Sequence, residues 1–306
     1  MPYGGGVTDR PHVTRVGGVD IGYWHERGAP ASRRALVCVH GWPETKRIYG
    51  RVVAGLRDAG HNVVVPDLRG FGDSGFADDG FYDVPTHAHD LVSLVFDSLG
   101  YDSAVLVGGD LGGPVIQEIA VREPERIESM VLFNSPLPYD KERMAGLRTR
   151  APKETADYFV RQGTDADALA AELSTPDARA RYIGEFYATR LWAHPGAFDA
   201  ASIAHHVEPF LAHDRLRASF ANYETVFDPS KRSEPSRMGR NEVTPTLIIF
   251  GTSDHVIYPD FDLMAAEVFA RHRGPLRYEN CGHFVPWEAP TRFVADVLEF
   301  LANPIP

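Results

Sequence analysis

Ala104-Val105-Leu106-Val107-Gly108-Gly109-Asp110-Leu111-Gly112-Gly113-Pro114 joins an apolar run to a segment of helical periodicity through a glycine-flanked aspartate. Four consecutive apolar residues bounded by glycine predict a strand buried on both faces. Pro114 suits the first turn of a helix, where its missing N–H is one of the unpaired donors anyway. A sharp strand–turn–helix forces its central residue into a strained backbone conformation, and the flanks must be small to clear sheet and helix. The Asp110 carboxylate then lies at a helix N-terminus, where free N–H groups and the helix dipole favour an anion. The same Gly-x-Asp-x-Gly spacing recurs at Gly18-Val19-Asp20-Ile21-Gly22. That copy falls between two predicted strands, where a hairpin turn is expected, so context and not pattern singles out Asp110. The bland alternative is an aspartate that only caps a helix. No Gly-x-Ser-x-Gly or Gly-x-Cys-x-Gly occurs, which leaves no serine or cysteine nucleophile at such a turn.

Outward from this stretch, short apolar runs alternate with amphipathic ones. Strands are predicted at 12–17, 21–26, 35–40, 62–67, 103–107 and 127–133, and helices at about 46–58, 86–98 and 112–122. This alternation signals a largely parallel sheet covered on both faces. It stops after Asn134-Ser135-Pro136. From 138 to 242 the pattern is helical, clearest at 168–173, 179–191 and 209–227, with Pro229–Arg240 the most loop-like part. Strands return at 246–250 and 275–280, with helices at about 259–271 and 290–301. Residues 1–137 and 243–306 are therefore expected to form one α/β core, with 138–242 a helical insertion seated on the sheet and not a tandem domain.

Composition narrows the function class. A hydrophobic share of 43% and a charged share of 24% are those of an ordinary globular protein. The net charge of −11, with no basic tract, argues against a nucleic-acid partner. No apolar run approaches the ~20 residues of a membrane span. The start of the chain shows no secretory signal, so a cytoplasmic location is expected. Cys38 and Cys281 are too few for a disulfide framework and lack zinc-site spacing.

Three further motifs bear on Asp110. His40-Gly41-Trp42-Pro43 ends a buried strand, Asp67-Leu68-Arg69-Gly70-Phe71-Gly72-Asp73-Ser74 follows the next, and Cys281-Gly282-His283-Phe284 follows the last, ahead of Glu288-Ala289-Pro290. With an aspartate at the turn, this ordered set resembles the α/β-hydrolase superfamily, and within it the epoxide hydrolase and haloalkane dehalogenase branch. The resemblance spans essentially the whole chain. It implies a mostly parallel eight-stranded sheet with helices on both faces and a helical cap inserted after the sixth strand.

The chain order Asp110, Asp254, His283 is that of nucleophile, acid and histidine in this fold. Asp254 follows a strand in Gly251-Thr252-Ser253-Asp254, with Asp260 and Asp262 as nearby competitors. His283 stands out from the other histidines by its place after the last strand and by its motif. A carboxylate attacking an sp³ carbon leaves an alkyl ester, which water deprotonated by the histidine can cleave. The resemblance implies Trp42 and Leu111 backbone N–H groups as the oxyanion hole.

The leaving group separates the branches. Many dehalogenases carry Trp after the nucleophile and Asn in place of Trp42, whereas Leu111 and Trp42 stand here; haloacetate-cleaving relatives carry Arg where Leu111 is. Epoxide hydrolases place two cap tyrosines on the epoxide oxygen. Among Tyr139, Tyr158, Tyr182, Tyr187 and Tyr223, Tyr223 matches the late one and Tyr158 is the nearest candidate for the early one. Gly109 departs from the His that many epoxide hydrolases carry there. The resemblance thus implies an epoxide hydrolase giving vicinal diols. A dehalogenase using the same aspartate and a non-catalytic ligand-binding homologue are the alternatives. Trp42, Phe284 and Trp287 are expected to supply apolar substrate-binding walls.

No cofactor and no metal are expected. His87 and His89, and the set His205, His206 and His213, read as helix-surface histidines and not ligands. Gly4-Gly5-Gly6 reads as a terminus and not a phosphate loop. The partners expected are a small apolar epoxide and water, with a homodimer allowed and neither nucleic acid nor membrane.

Overall fold

Gly17 and Gly18, at φ 51° and 89°, turn β1 (His12–Val16) back on β2 (Val19–Arg27). Two consecutive positive-φ residues give the primed turn that matches the twist of a hairpin. Asp20 is already inside β2, paired in register with Arg15, so the second glycine–aspartate–glycine pattern belongs to a strand and not to the turn itself. The computed structural model describes residues 11–147, 157–257, 259–303 and 305; Gly4-Gly5-Gly6 lies outside them.

β3 (Arg34–Val39) leads through a short 3-10 turn at Lys46–Tyr49 to α1 (Val53–Asp58) and β4 (Asn62–Pro66). The single helix expected over 46–58 is thus two pieces. α2 (Val84–Val92) is capped by the Asp83 side chain on the Thr86 N–H and runs on as a π-helical turn at Ser93–Ser98. β5 (Ser103–Gly109), α3 (Gly112–Arg122) and β6 (Ile127–Phe133) follow. Among the described residues, five helices then intervene: α4 (Asp157–Thr164), α5 (Ala166–Glu172), α6 (Pro176–Ala188), α7 (Ala200–Val207) and α8 (His213–Phe227). The chain closes with β7 (Thr246–Gly251), α9 (Phe261–Val268), β8 (His272–Tyr278), α10 (Val285–Glu288) and α11 (Pro290–Ala302).

The eight strands form one sheet in the order β1-β2-β4-β3-β5-β6-β7-β8. β1–β2 and β2–β4 pair antiparallel, and every pair from β4 to β8 is parallel. Val37, Cys38, Val39, Val63, Val64, Val65 and Leu247–Ile249 are wholly buried, because helices cover both faces of the parallel strands. Strand order reverses between β3 and β5, and such a switch point opens a crevice at the carboxyl ends of the strands. Asp110 follows β5 there, flanked by the loops after β3, β6, β7 and β8.

The Arg-Gly-Phe-Gly-Asp-Ser motif is architectural. Arg69 grips Asp90 through Nε at 2.6 Å and Nη2 at 2.7 Å, and Asp67 accepts the N–H groups of Lys46 at 2.7 Å and Asp73 at 2.8 Å. Buried, doubly hydrogen-bonded charges of this kind hold loops in register.

Candidate active site

Asp110 is held at φ 44°, in the left-handed region that non-glycine residues avoid. The close approach of its neighbours explains the surrounding glycines. A Cβ on Gly112 would stand 2.2 Å from the Val39 carbonyl oxygen, and one on Gly109 would stand 2.2 Å from the Phe133 ring. The Phe133 ring fills the space into which a side chain at 109 would grow.

Three residues from distant parts of the chain converge here. His283 Nδ1 lies 2.8 Å from Asp254 Oδ2. His283 Nε2 lies 3.2 Å from Asp110 Oδ2, an ion-pair contact and not an aligned hydrogen bond. The Trp42 backbone N–H donates to Asp110 Oδ1 at 2.7 Å. Burial works against a charged imidazole at 283, but Asp254 and Asp110 outweigh it and hold the ring well above the ordinary histidine range. The two acidic neighbours thus favour the protonated ring. The competitors of Asp254 lie elsewhere: Asp262 pairs with Arg277, and Asp260 precedes α9.

A cavity of about 230 Å³ opens on Asp110. Tyr158 from α4 and Tyr223 from α8 line it together with Leu111, Phe159, Val226, Val256, Ile257 and Met238. The two rings meet edge-on at 5.9 Å, and burial, with Tyr158 and Asp110 adding to it, keeps the Tyr223 phenol far above the usual tyrosine range. Tyr223 therefore stays protonated, as a donor must. Of the other insertion tyrosines, Tyr182 accepts from Gln162 Nε2 at 2.8 Å, Tyr187 donates to the Pro43 carbonyl, and Tyr139 is exposed.

Trp42 aligns both cavity tyrosines. Its ring stacks on Tyr158 at 5.5 Å with planes 5° apart and meets Tyr223 edge-on at 5.5 Å. Its Nε1 donates to Ser219 Oγ at 3.0 Å, which joins the loop after β3 to α8. The Trp42–Pro43 peptide is cis.

All three expected walls are corrected. Among the described residues that line the cavity, none of Trp42, Phe284 and Trp287 occurs; Trp42 packs behind the two tyrosines that do. Phe284 is stacked on Tyr187 at 4.7 Å and meets the His283 ring edge-on at 5.3 Å, so it packs behind the histidine. Trp287 is wedged between His206, at 4.3 Å, and the Arg51 guanidinium, at 4.0 Å. His87 and His206 are also corrected, since both are buried and not on helix surfaces; burial drives each imidazole below its ordinary range, His87 to about 3.

Three further side chains support the site; Glu288 stands in the Glu288-Ala289-Pro290 motif, whereas Asn134 and Glu44 carry no motif of their own. Asn134 Nδ2 donates to Asp254 Oδ2 at 2.7 Å. Glu288 braces the histidine loop, accepting the N–H groups of Gly282 at 2.8 Å, Phe284 at 2.9 Å and His194 at 2.8 Å. Glu44 accepts the Gly41 N–H at 2.6 Å, and burial, with Asp110 adding to it, pushes its carboxyl up to about 8. Asn134 and the His194 contact of Glu288 join segments distant in the chain, whereas Glu44 and the other Glu288 contacts brace their own loops.

Known proteins resemble this chain along nearly its whole length. An epoxide hydrolase of Caballeronia sordidicola is 27% identical, with 97% of this chain and 94% of that protein aligned. A haloalkane dehalogenase 2 of Mycobacterium tuberculosis is 26% identical, with 86% of each chain aligned. The solved structure of the epoxide hydrolase CorEH without ligand superposes with a TM-score of 0.81 at 25% identity, over 97% of this chain and 99% of that one. Among the described residues, no helix is long and apolar enough to cross a membrane. Residues 34–290 match the family model described as the alpha/beta hydrolase fold, and the chain belongs to that family.

Proposed function

We propose that the protein is an epoxide hydrolase that adds water to an epoxide and yields a vicinal diol. The observation that carries this is the joint lining of one cavity by Asp110, Tyr158 and Tyr223. The helices α4 to α8 then serve as a cap that brings the two phenols over the nucleophile, with residues 138–242 as the cap and the rest as the core.

Asp110 Oδ2 attacks an epoxide carbon. The C–O bond of the ring breaks, and the departing oxygen takes its proton from Tyr223 or Tyr158. Oδ1 stays the carbonyl oxygen of the resulting ester, held by the Trp42 N–H, with the Leu111 N–H as the second donor to the later oxyanion. Esterification removes the Asp110 charge, and with it one of the forces that keep His283 protonated. The imidazolium gives up its proton, which re-forms the phenol spent in ring opening, and the neutral ring, aligned by Asp254, deprotonates the water that attacks the ester carbonyl and later returns that proton to the departing diol oxygen. The ester C–O bond breaks, the diol leaves, and Asp110 is regenerated as a carboxylate.

A halide would need N–H donors in place of phenols. Leu111 offers none from its side chain, and the Trp42 indole N–H is committed to Ser219. The Trp192 indole N–H has no hydrogen-bond partner among the described residues, but Trp192 is not among those that line the cavity.

The test is His283→Gln with styrene oxide, followed by intact mass. An adduct of the whole epoxide on Asp110 supports the proposal, because epoxide opening loses no atoms. With a 1-haloalkane, an adduct lighter than the reagent by the hydrogen halide would support dehalogenation instead. No adduct from either, together with no turnover by wild type, would leave a ligand-binding protein.

A further inference from the structure

Residues 233–238 are mostly exposed, yet they are fastened to the core at both ends by buried carboxylates. Asp83, the N-cap of α2, accepts the Ser233 N–H at 2.7 Å and its hydroxyl at 2.8 Å. Glu118 in α3 accepts the Ser236 hydroxyl at 2.6 Å, the Arg237 N–H at 2.9 Å and the Met238 N–H at 3.1 Å. Asp83 is 3% exposed and Glu118 not at all. For Glu118, burial alone would raise the carboxyl, but the Ser236, Arg237 and Arg122 hydrogen bonds outweigh it and hold it below its usual range. Charge-assisted bonds of this number fix a segment that has little apolar contact of its own.

The side chain they fix is Met238. It lines the catalytic cavity and also a separate groove of about 520 Å³ on the far side, bounded by Pro138, Lys141, Arg143 and Arg240. Met238 thus stands between the two spaces. On the cavity side, Asp110 bears the one formal charge among the described lining residues. A substrate with a carboxylate of its own would find no cation there.

We propose that Met238 is a specificity-determining residue, held by the 233–238 strap on Asp83 and Glu118 as the partition between cavity and groove, so that the site takes compact uncharged epoxides. Asp83 and Glu118 are positioning residues in this scheme. The proposal rests on the epoxide hydrolase function above. An epoxide with one aromatic ring fits the closed cavity, whereas a second ring on the other carbon requires the space beyond Met238.

The test compares kcat/KM for styrene oxide and trans-stilbene oxide in wild type, Met238→Ala and Glu118→Gln, each checked for folding by circular dichroism. Wild type is expected to favour styrene oxide. Met238→Ala should move the ratio toward stilbene oxide by ~10-fold or more, the scale set by a small steric change in an apolar pocket. Glu118→Gln removes one of two acceptor oxygens and should move the ratio the same way, through KM for stilbene oxide. If wild type opens styrene oxide and Met238→Ala leaves the ratio within about twofold, Met238 is not the partition and the function stands. If wild type opens neither epoxide, the function falls and this proposal with it.

Discussion

Asn134 Nδ2 donates at 2.7 Å to Asp254 Oδ2, the same oxygen that faces His283 Nδ1 at 2.8 Å. Asn134 follows β6 at φ 34°, and its amide also accepts the Gly251 N–H at 2.8 Å. The Val256 N–H donates to the other Asp254 oxygen at 2.6 Å. The acid is therefore oriented from two strands at once. Asn134→Asp would replace a donor by a second negative charge next to the Asp254–His283 pair. More negative surroundings favour the imidazolium, and a close charge moves a pKa by about 1–3 units. The limb on which ester hydrolysis speeds up with pH is thus expected to move alkaline by about one unit. Single-turnover rates across pH measure it, and an unmoved limb would mean that Asn134 does not couple to the base.

On the proposed mechanism, Tyr158→Phe and Tyr223→Phe each remove one donor to the departing oxygen. A positioned acid contributes ~10²–10⁴-fold, but either phenol can partly replace the other. Each single variant should slow formation of the ester by ~10-fold or more, and the double variant by a further ~10-fold or more. Hydrolysis of an ester already formed should be little affected, since that step relies on His283. Rapid-quench measurement of both steps separates them; equal slowing of both would point to a cap-packing role.

The reach of the sequence follows from where each residue stands. Asp110 directly follows β5, and Asp254 and His283 stand in the loops after β7 and β8, so chain order and local motif suffice to bring them together. Tyr158 and Tyr223 are legible as insertion tyrosines, but their facing Asp110 depends on how α4 and α8 pack, which no local pattern encodes. Trp287 and Phe284 illustrate the opposite failure. Their nearness in sequence to His283 suggested cavity walls, yet α10 turns Trp287 toward His206. Glu44 escapes notice because it serves a backbone N–H group, and an acidic residue in a loop reads as solvated until the loop is seen to be buried. His87 and His206 lie on faces that long-range packing covers, whereas helical periodicity around them is equally consistent with exposure.

His87 gives a pH prediction with a definite sign. Burial, helped by Arg69 and His40, lowers its imidazole from 6.5 to about 3. Below pH 6.5 the unfolded chain takes up a proton there that the folded chain refuses until about pH 3. Stability from this group is complete above pH 6.5 and falls as the pH drops, by about 1.4 kcal/mol per unit. Between pH 6.5 and 4.5, wild type should lose about 2–3 kcal/mol that a His87→Gln variant does not lose. Urea midpoints of both proteins at several pH values test this; parallel curves would mean that His87 titrates alike in both states.

Gly109→Ala should be destabilising in a way that Phe133 controls. The new methyl would meet Phe133 ring carbons at 2.2 and 2.4 Å and the Phe133 carbonyl oxygen at 2.7 Å. Overpacking of this kind costs about 1–3 kcal/mol, and because Asp110, the proposed nucleophile, is the next residue, any shift there should also lower kcat. Phe133→Leu alone should also destabilise, since that ring packs edge-on against Phe293 at 5.7 Å. In combination the ring clash disappears while the carbonyl contact remains, so the double variant should be more stable than the sum of the singles by about 0.5–2 kcal/mol. Chemical denaturation of the four proteins measures that coupling. Strict additivity would show that the backbone carbonyl, and not the phenyl ring, excludes a side chain behind the nucleophile.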